Sequence, residues 1–355
     1  MDREAGIKAF ESLISADEYR ARSAAGETAH IHRYQVPGAA PVVQLALADV
    51  QQMTPKITKY TFTSPDGTAL PEWQAGAHLD VVITPEFLRQ YSMSGDPANR
   101  DIYEIAVLRE DAGRGGSKML QRIFTPGRRV FASRPVNHFP LHEEASHSLL
   151  MAGGIGVTPM IAFAHRLHAL GRSFVLHYSC ASPEEAGFLA ELQAQPWAAH
   201  VQFHFSSQGP RADLAAILAK YQPGAHVYTC GSDRYMQAVM QAARQAGWPD
   251  EALHLEYFSV PEQPPQENHP FTLRLADGRE IAVSADESAA DALERAGIAV
   301  DVKCADGICG VCQCTLRAGT VQHRDFVLSQ AQRETRMILC CSRAAEPGGV
   351  LDIAL

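Results

Sequence analysis

The chain has 355 residues, 46% of them hydrophobic and 20% charged, with a formal net charge of −9. At roughly 150 residues per domain that length suggests two or three domains, and the composition excludes collagen-like, coiled-coil and fully disordered classes. The acidic balance argues against nucleic-acid binding and suits a basic protein partner.

No apolar run approaches the roughly 18–20 residues that span a bilayer. The opening MDREAGIKAFESL carries acids and has no apolar signal core, so no membrane association and a cytoplasmic address are expected. Residues 1–40 read as an N-terminal extension in which Ile7, Phe10, Leu13 and Ile14 are spaced for a short amphipathic helix. His30 and His32 would share one face of a strand, which reads as surface polarity rather than metal binding.

From 41 to 145, the runs VVQLALADV, YTFTSP, HLDVVI and YEIAVLRE alternate with turns such as Pro65-Asp66-Gly67 and Gly95-Asp96-Pro97. That pattern predicts an antiparallel β-barrel with one helix near Lys118–Phe124. From 146 to 259, strands alternate with helices near Pro159–Leu170, Glu184–Gln193, Ala212–Lys220 and Tyr235–Gly247, predicting an α/β domain with a parallel sheet. Residues 260–270 hold four prolines in eleven positions and read as a linker. The segment 271–355 opens with a hairpin around Asp277-Gly278, continues into a helix near Ala289–Ala296 and ends in a cysteine-rich α+β domain.

Six of the eight cysteines fall between Cys304 and Cys341. A disulfide scaffold needs an oxidising compartment, which nothing in the sequence signals. Structural zinc sites are usually built from two C-x2-C-like knuckles, and only one is present. Cys304-x4-Cys309-x2-Cys312 with a distant fourth cysteine is the plant-type 2Fe–2S spacing. Gly307 and Gly310 give the loop freedom to wrap a cluster. Spacing alone leaves the fourth ligand open between Cys340 and Cys341. The segment resembles the plant-type ferredoxins, whose last ligand follows a short apolar strand, and that resemblance implies Cys340 and an α+β ferredoxin (β-grasp) domain. Cys314 and Cys341 then read as buried small hydrophobes.

Arg89-Gln90-Tyr91-Ser92 follows a strand, and Gly113-Arg114-Gly115-Gly116-Ser117 opens a helix whose free amides and dipole favour a phosphate. Gly153-Gly154-Ile155-Gly156-Val157-Thr158-Pro159 follows another strand but departs from the Rossmann fingerprint, since Pro159 takes the last glycine's place. Cys230-Gly231-Ser232 stands at the C-terminal end of a later strand, where open α/β sheets bind ligands.

Together these motifs resemble the ferredoxin-NADP reductase superfamily. With the ferredoxin last, the order resembles the phthalate dioxygenase reductase family, including vanillate demethylase reductases, over about 41–355. The resemblance implies that Arg89, Gly115, Gly116 and Ser117 hold a flavin phosphate. It puts Tyr91 against the isoalloxazine, Ser92 near N5, and Ala106 and Val107 along the ring edge. Gly153, Gly154, Gly156, Thr158, Cys230, Gly231 and Ser232 would serve the nicotinamide dinucleotide, and Phe258 would cover the flavin face. Ser92, Cys230 and Phe258 are the expected catalytic residues.

NADH gives two electrons as hydride and an iron–sulfur cluster accepts one, so a flavin is the converter between them. The expected cofactors are FMN, NADH and a 2Fe–2S cluster, and the expected partner is a terminal oxygenase of the Rieske type. A diiron oxygenase or a cytochrome P450 is the alternative. The intact phosphate turn, the dinucleotide glycines and Cys230 argue against a non-catalytic, redox-sensing flavin/iron–sulfur protein. A brown, cluster-like absorption spectrum would exclude an adaptor whose loop holds zinc and whose α/β domain is only a scaffold.

Overall fold

The computed structural model describes residues 43–84, 87–111, 115–219, 222–259, 266–302, 304–328 and 330–355. The expected helix over 7–14, the His30/His32 pair, Gly113 and Arg114 of the phosphate turn, and 260–265 of the expected linker lie outside them. Residues 43–258 belong to one compact unit and those from Ser259 onward to a second.

The first unit opens with β1 (Val43–Gln52), β2 (Ile57–Thr63), β3 (Ala77–Thr84), β4 (Phe87–Ser92) and β5 (Ile102–Leu108), then α1 (Gly116–Ile123), β6 (Arg129–Ala132) and β7 (Val136–Asn137). The sheet runs β4-β3-β6-β1-β2-β5, with every adjacent pair antiparallel. A bridge between Met93 and Ile105 joins its two ends and closes the barrel. Alternation makes the interior: Leu45 and Leu47 on β1 and Tyr60 and Phe62 on β2 are fully buried, while Ala46 and Thr61 between them are only half-buried.

The same unit continues with β8 (His147–Gly153), α2 (Val157–Ala169), β9 (Phe174–Cys180), α3 (Leu189–Gln193), β10 (Val201–Phe205), α4 (Leu214–Leu218), β11 (Ala225–Cys230), α5 (Asp233–Gln245) and β12 (Leu253–Glu256). Its all-parallel sheet has the order β10-β9-β8-β11-β12, so the order reverses between β8 and β11. Parallel strands covered on both faces read as continuous apolar runs, and 149–152 of β8 are buried accordingly. Barrel and α/β layer share one core, in which Phe139 packs 5.2 Å from Phe163, and Phe163 packs 4.9 Å from Tyr228. Lys59 of β2 adds a link, reaching Glu191 of α3 at 2.6 Å and Glu104 of β5 at 3.3 Å.

One expected helix differs. The stretch Glu184–Gln193 is split into a 3-10 turn, Pro183–Glu185, and the short α3. Between them Phe188 takes a left-handed conformation (φ 64°) and buries its ring. Burial of that ring in the shared core wins over helix continuity, a tertiary effect invisible to local pattern.

The second unit contains β13 (Phe271–Arg274), β14 (Glu280–Val283), α6 (Ala289–Arg295), β15 (Gln313–Ala318), β16 (Val321–Gln322), α7 (Gln330–Arg333), β17 (Arg336–Ile338), β18 (Arg343–Ala344) and β19 (Val350–Ala354). Its mixed sheet runs β14-β13-β19-β15-β17, with β13 and β19 parallel. A capping box formed by Ser288 and Asp291 starts α6. Arg343, 5% exposed, donates to the carbonyls of Ser284, Glu287 and His269 and so ties the hairpin to the segment before β13. The molecule is thus the expected multidomain arrangement of antiparallel barrel, parallel α/β layer and α+β β-grasp domain. No helix among the described residues is long and apolar enough to cross a membrane.

Candidate functional site

Strand β4 pairs with β3 so that Val81 faces Arg89, Leu79 faces Tyr91 and His78 faces Ser92. The period of two sends Arg89 and Tyr91 to one side and Ser92 to the other. Arg89 lies over the first turn of α1: a Cβ placed on Gly116 would meet Arg89 Nε at 2.9 Å. Gly115 caps that helix with φ 92°. Ser117 Oγ accepts from Glu110 N at 3.1 Å, leaving its O–H as a donor. A guanidinium, a hydroxyl donor and free helix amides therefore stand together, a set that fits one phosphate. Tyr91 is partly buried, and desolvation pushes its phenol well above the ordinary range. Ala106 and Val107 bury their side chains in the core, so what β5 presents at the expected ring edge is backbone.

At the far ends of β4 and β12, Ser92 Oγ donates to Glu256 Oε2 at 2.9 Å. Desolvation lifts the Glu256 carboxyl to about 7, and the hydrogen bond from Ser92 only partly opposes it. Cys230 is the register partner of Glu256 across β11 and β12. Its thiol is fully buried and held neutral by desolvation, with the neighbouring Glu256 carboxylate adding to the effect. A hydroxyl, a carboxyl able to gain or lose a proton near neutrality, and an un-ionised thiol are thus gathered at one end of the parallel sheet. Phe258, two residues beyond β12, is 40% exposed, so it is not a core residue.

The glycine turn after β8 packs backbone against backbone on the end of β11. A Cβ on Gly156 would lie 2.2 Å from Cys230 O and 2.6 Å from Gly231 N, and one on Gly231 would lie 3.0 Å from Gly153 Cα. Only glycine permits this approach, which falls at the reversal in strand order where open sheets take ligands. Thr158 is buried and donates to Ile155 O at 3.1 Å, fixing the turn. Ser232 caps α5 by accepting from Tyr235 N at 3.4 Å. Both hydroxyls, expected at the dinucleotide, are thus engaged in fixing the two turns.

In the second unit the loop between α6 and β15 brings three thiols to a fourth, Cys340, which follows β17. Cys304 hydrogen-bonds with Cys309 and Cys340, and Cys312 with Cys340. These bonds push the Cys304 and Cys312 thiols toward the thiolate form. The Asp306 amide also donates to Cys304 Sγ at 3.4 Å. Four converging sulfurs with amide donors fit a 2Fe–2S cluster. Cys314 instead faces the core on β15. Cys341 meets the set through Cys340, with its sulfur against Gly307. Gly307 has φ 73°, and a Cβ there would sit 2.7 Å from Cys341 Sγ and 3.2 Å from Asp325 Cα.

Two residues of the site carried no role in the sequence reading. Glu256 lies within the HLEYFS segment that closes the α/β layer, but a lone acid at a strand end is an ordinary surface feature. Asp325 has a fully buried side chain. It accepts from Leu328 N at 2.9 Å and lies 3.3 Å from His323 Nδ1, while its own carbonyl takes Arg333 Nη2 at 2.8 Å. Phe326 N donates to Gly307 O at 3.0 Å, so this knot braces the wall of the cysteine loop.

Comparison with known proteins gives the context. Residues 274–345 match the 2Fe-2S iron-sulfur cluster binding domain, and residues 130–253 match the N-terminal domain of dimethylamine monooxygenase subunit DmmA-like proteins. The chain is 37% identical over 318 residues to a vanillate O-demethylase oxidoreductase of Pseudomonas sp. (strain HR199 / DSM 7063), covering 88% of this chain and 100% of that protein. Among solved structures, phthalate dioxygenase reductase, described as a modular structure for electron transfer from pyridine nucleotides to [2Fe-2S], matches at 36% identity. Its TM-score is 0.65, over 88% of this chain and 98% of that one. An intact type IV self-sufficient cytochrome P450 monooxygenase matches at 34% identity with a TM-score of 0.79 over 88% of this chain, which spans 41% of that longer chain. With identity above 30% across the whole of a relative, and with the same three-part fold, the chain belongs to the phthalate dioxygenase reductase-like family of oxygenase reductase components.

Proposed function

We propose that this protein is the NADH-dependent reductase of an oxygenase system, carrying FMN and a 2Fe–2S cluster and delivering electrons singly to a terminal oxygenase of the Rieske type. The observation that carries the reading is the convergence of Cys304, Cys309, Cys312 and Cys340 in a matched 2Fe–2S domain of a chain that also holds the phosphate and glycine cradles. The flavin, when bound, supplies the conversion between a two-electron donor and a one-electron acceptor.

The chain's own residues do the rest. Arg89, Ser117 and the Gly115-Gly116 amides would hold the flavin phosphate, and among the described residues this set suits the single phosphate of FMN. Tyr91 would pack against the flavin ring, and the backbone at Ala106 and Val107 would line its edge. Gly153, Gly154, Gly156 and Gly231 let the dinucleotide approach the backbone, with Thr158 and Ser232 holding the turns. Ser92 and Glu256 form a proton-holding pair, beside which Cys230 contributes an uncharged wall. Phe258 offers an exposed ring for stacking. Cys304, Cys309, Cys312 and Cys340 bind the cluster. A cytoplasmic setting would keep the thiols reduced and supply NADH.

A cytochrome P450 partner is the second reading, favoured by the likeness to a self-sufficient P450 chain. The test is reconstitution of the purified protein with either class of oxygenase and NADH, together with acid-release chromatography of the flavin. Substrate turnover with a Rieske oxygenase and one FMN per chain are expected. Stoichiometric FAD would overturn the cofactor assignment, and turnover with the P450 alone would overturn the partner.

A further inference from the structure

Three imidazoles gather on the α/β layer without any part in the site described above. His226 lies on β11 and His254 on β12, while His142 sits in the segment between β7 and β8. The His142 amide donates to Tyr228 Oη at 2.9 Å, which pins that segment over β11. His226 stands four residues before Cys230, roughly 13 Å back along the strand from the glycine turns.

His226 Nδ1 and His254 Nε2 are 2.8 Å apart. The His142 ring stacks over both, with centroids 4.6 Å from His226 and 4.8 Å from His254. One ring nitrogen from each of the three lies within 4.8 Å of the others. His142 is exposed and the other two are half-buried, so the cluster is open on one side.

Metals are bound by neutral imidazole, and the surroundings of His226 and His254 favour that form. Desolvation, with His142 and His226 alongside, pushes His254 down to about 3. Desolvation and His142 also lower His226, against the carboxylate of Glu251, which pulls the other way. Zinc–nitrogen bonds of about 2.0–2.1 Å in a tetrahedron put two ligating nitrogens roughly 3.3 Å apart. The His226–His254 pair is half an ångström from that separation before any metal arrives.

We propose that His142, His226 and His254 form a binding site for a divalent transition metal of the zinc class, distinct from the iron–sulfur centre. The ion takes the place of the hydrogen bond between His226 and His254. The ring that donates that bond shifts to its other tautomer, moving its proton to the second ring nitrogen, so no net proton is released. His142 turns from stacking to supply the third nitrogen, and the fourth position stays open to water or to the Glu251 carboxylate. Occupancy ties β11 and the edge strand β12 to the segment entering β8.

The test uses the full-length protein with flavin and cluster in place, treated with EDTA and dialysed against micromolar Zn²⁺, with zinc and iron counted by mass spectrometry. One zinc per chain with iron unchanged is expected. His142→Ala, on an exposed residue, and His226→Gln should each weaken zinc binding about tenfold or more. His204→Ala, which breaks the separate His177–His204 pair (3.0 Å), should leave it unchanged. Anomalous scattering at the zinc edge should place the ion between the three rings. The proposal is overturned if no zinc binds, if zinc enters only as iron leaves, if His204→Ala abolishes binding, or if His142→Ala and His226→Gln bind as tightly as the parent.

Discussion

Ser92 and Glu256 stand 164 residues apart in sequence, yet the Ser92 hydroxyl donates to the Glu256 carboxylate at 2.9 Å. The bond joins a barrel strand to the last strand of the parallel sheet, so it depends on both layers sharing one core. An exposed glutamate ionises near 4.5, and this one is lifted to about 7 by desolvation.

That shift makes stability fall with rising pH over a defined window. Between about 4.5 and 7 the folded carboxyl keeps its proton while the unfolded one has lost it, so folding weakens as pH rises and then levels off above 7. Glu256→Gln removes the titration. Its melting temperature relative to the parent protein, both treated with EDTA, should climb from pH 4.5 to 7 and stay constant beyond. Ser92→Ala deletes the bond that favours the charged form, so its window should extend upward. A parent–variant difference that does not change with pH would show that Glu256 ionises as an ordinary surface acid.

The cysteine loop makes a sharper demand. Cys304→Ser, Cys309→Ser, Cys312→Ser and Cys340→Ser should each remove or badly perturb the cluster, because each sulfur belongs to the connected set. Cys341→Ser should keep it, since that sulfur packs on Gly307. Iron and sulfide content with visible spectra would decide. Cluster loss in the Cys341 variant alone would transfer the fourth ligand position to Cys341.

Cofactor choice follows from the end of β9. The strand stops at Cys180 and runs through Ala181 and Ser182 into the turn Pro183–Glu185, where Glu184 and Glu185 are exposed. A 2′-phosphate seeks Arg or Lys at this place; the stretch 178–185 carries two acids and no base. NADH should therefore be favoured over NADPH by about tenfold or more in kcat/KM, an energy difference of about 1.4 kcal/mol. Equal values for the two cofactors would refute the electrostatic argument.

Much of this was legible in sequence for identifiable reasons. Thiol spacing is local, and the plant-type pattern survives into the converged Cys304, Cys309, Cys312 and Cys340. Strand alternation in β1 and β2 and the apolar run of β8 likewise announce barrel and parallel sheet. Phe188 was not legible, because its left-handed backbone answers to a core assembled from distant segments. Asp325 and Glu256 were not legible for a related reason. Glu256 gains meaning only once distant strands have desolvated it, and although Asp325 takes the nearby amides of Val327 and Leu328, its complete burial belongs to the folded loop. The three histidines at 142, 226 and 254 come from three separate segments, so no spacing rule could join them.

Removing the second unit tests the order in which electrons move. The boundary between the compact units falls at Phe258/Ser259, so truncation after Ser259 should leave a folded flavoprotein with Ser92, Cys230, Glu256 and Phe258 all retained. NADH oxidation with ferricyanide, a small acceptor able to reach the flavin, should persist near the parent rate. Reduction of cytochrome c should fall by about a hundredfold or more, since a bulky acceptor is expected to take its electrons from the cluster, and a loss of that size is about 2.7 kcal/mol of barrier. Full-length Cys309→Ser, which keeps every domain but lacks a working cluster, should behave the same way. Agreement between the two variants separates loss of the cluster from damage at Phe258 caused by cutting the chain beside it. If both variants lose ferricyanide activity together with cytochrome c activity, the cluster does not lie simply downstream of the flavin, and the order NADH, flavin, cluster, oxygenase is wrong.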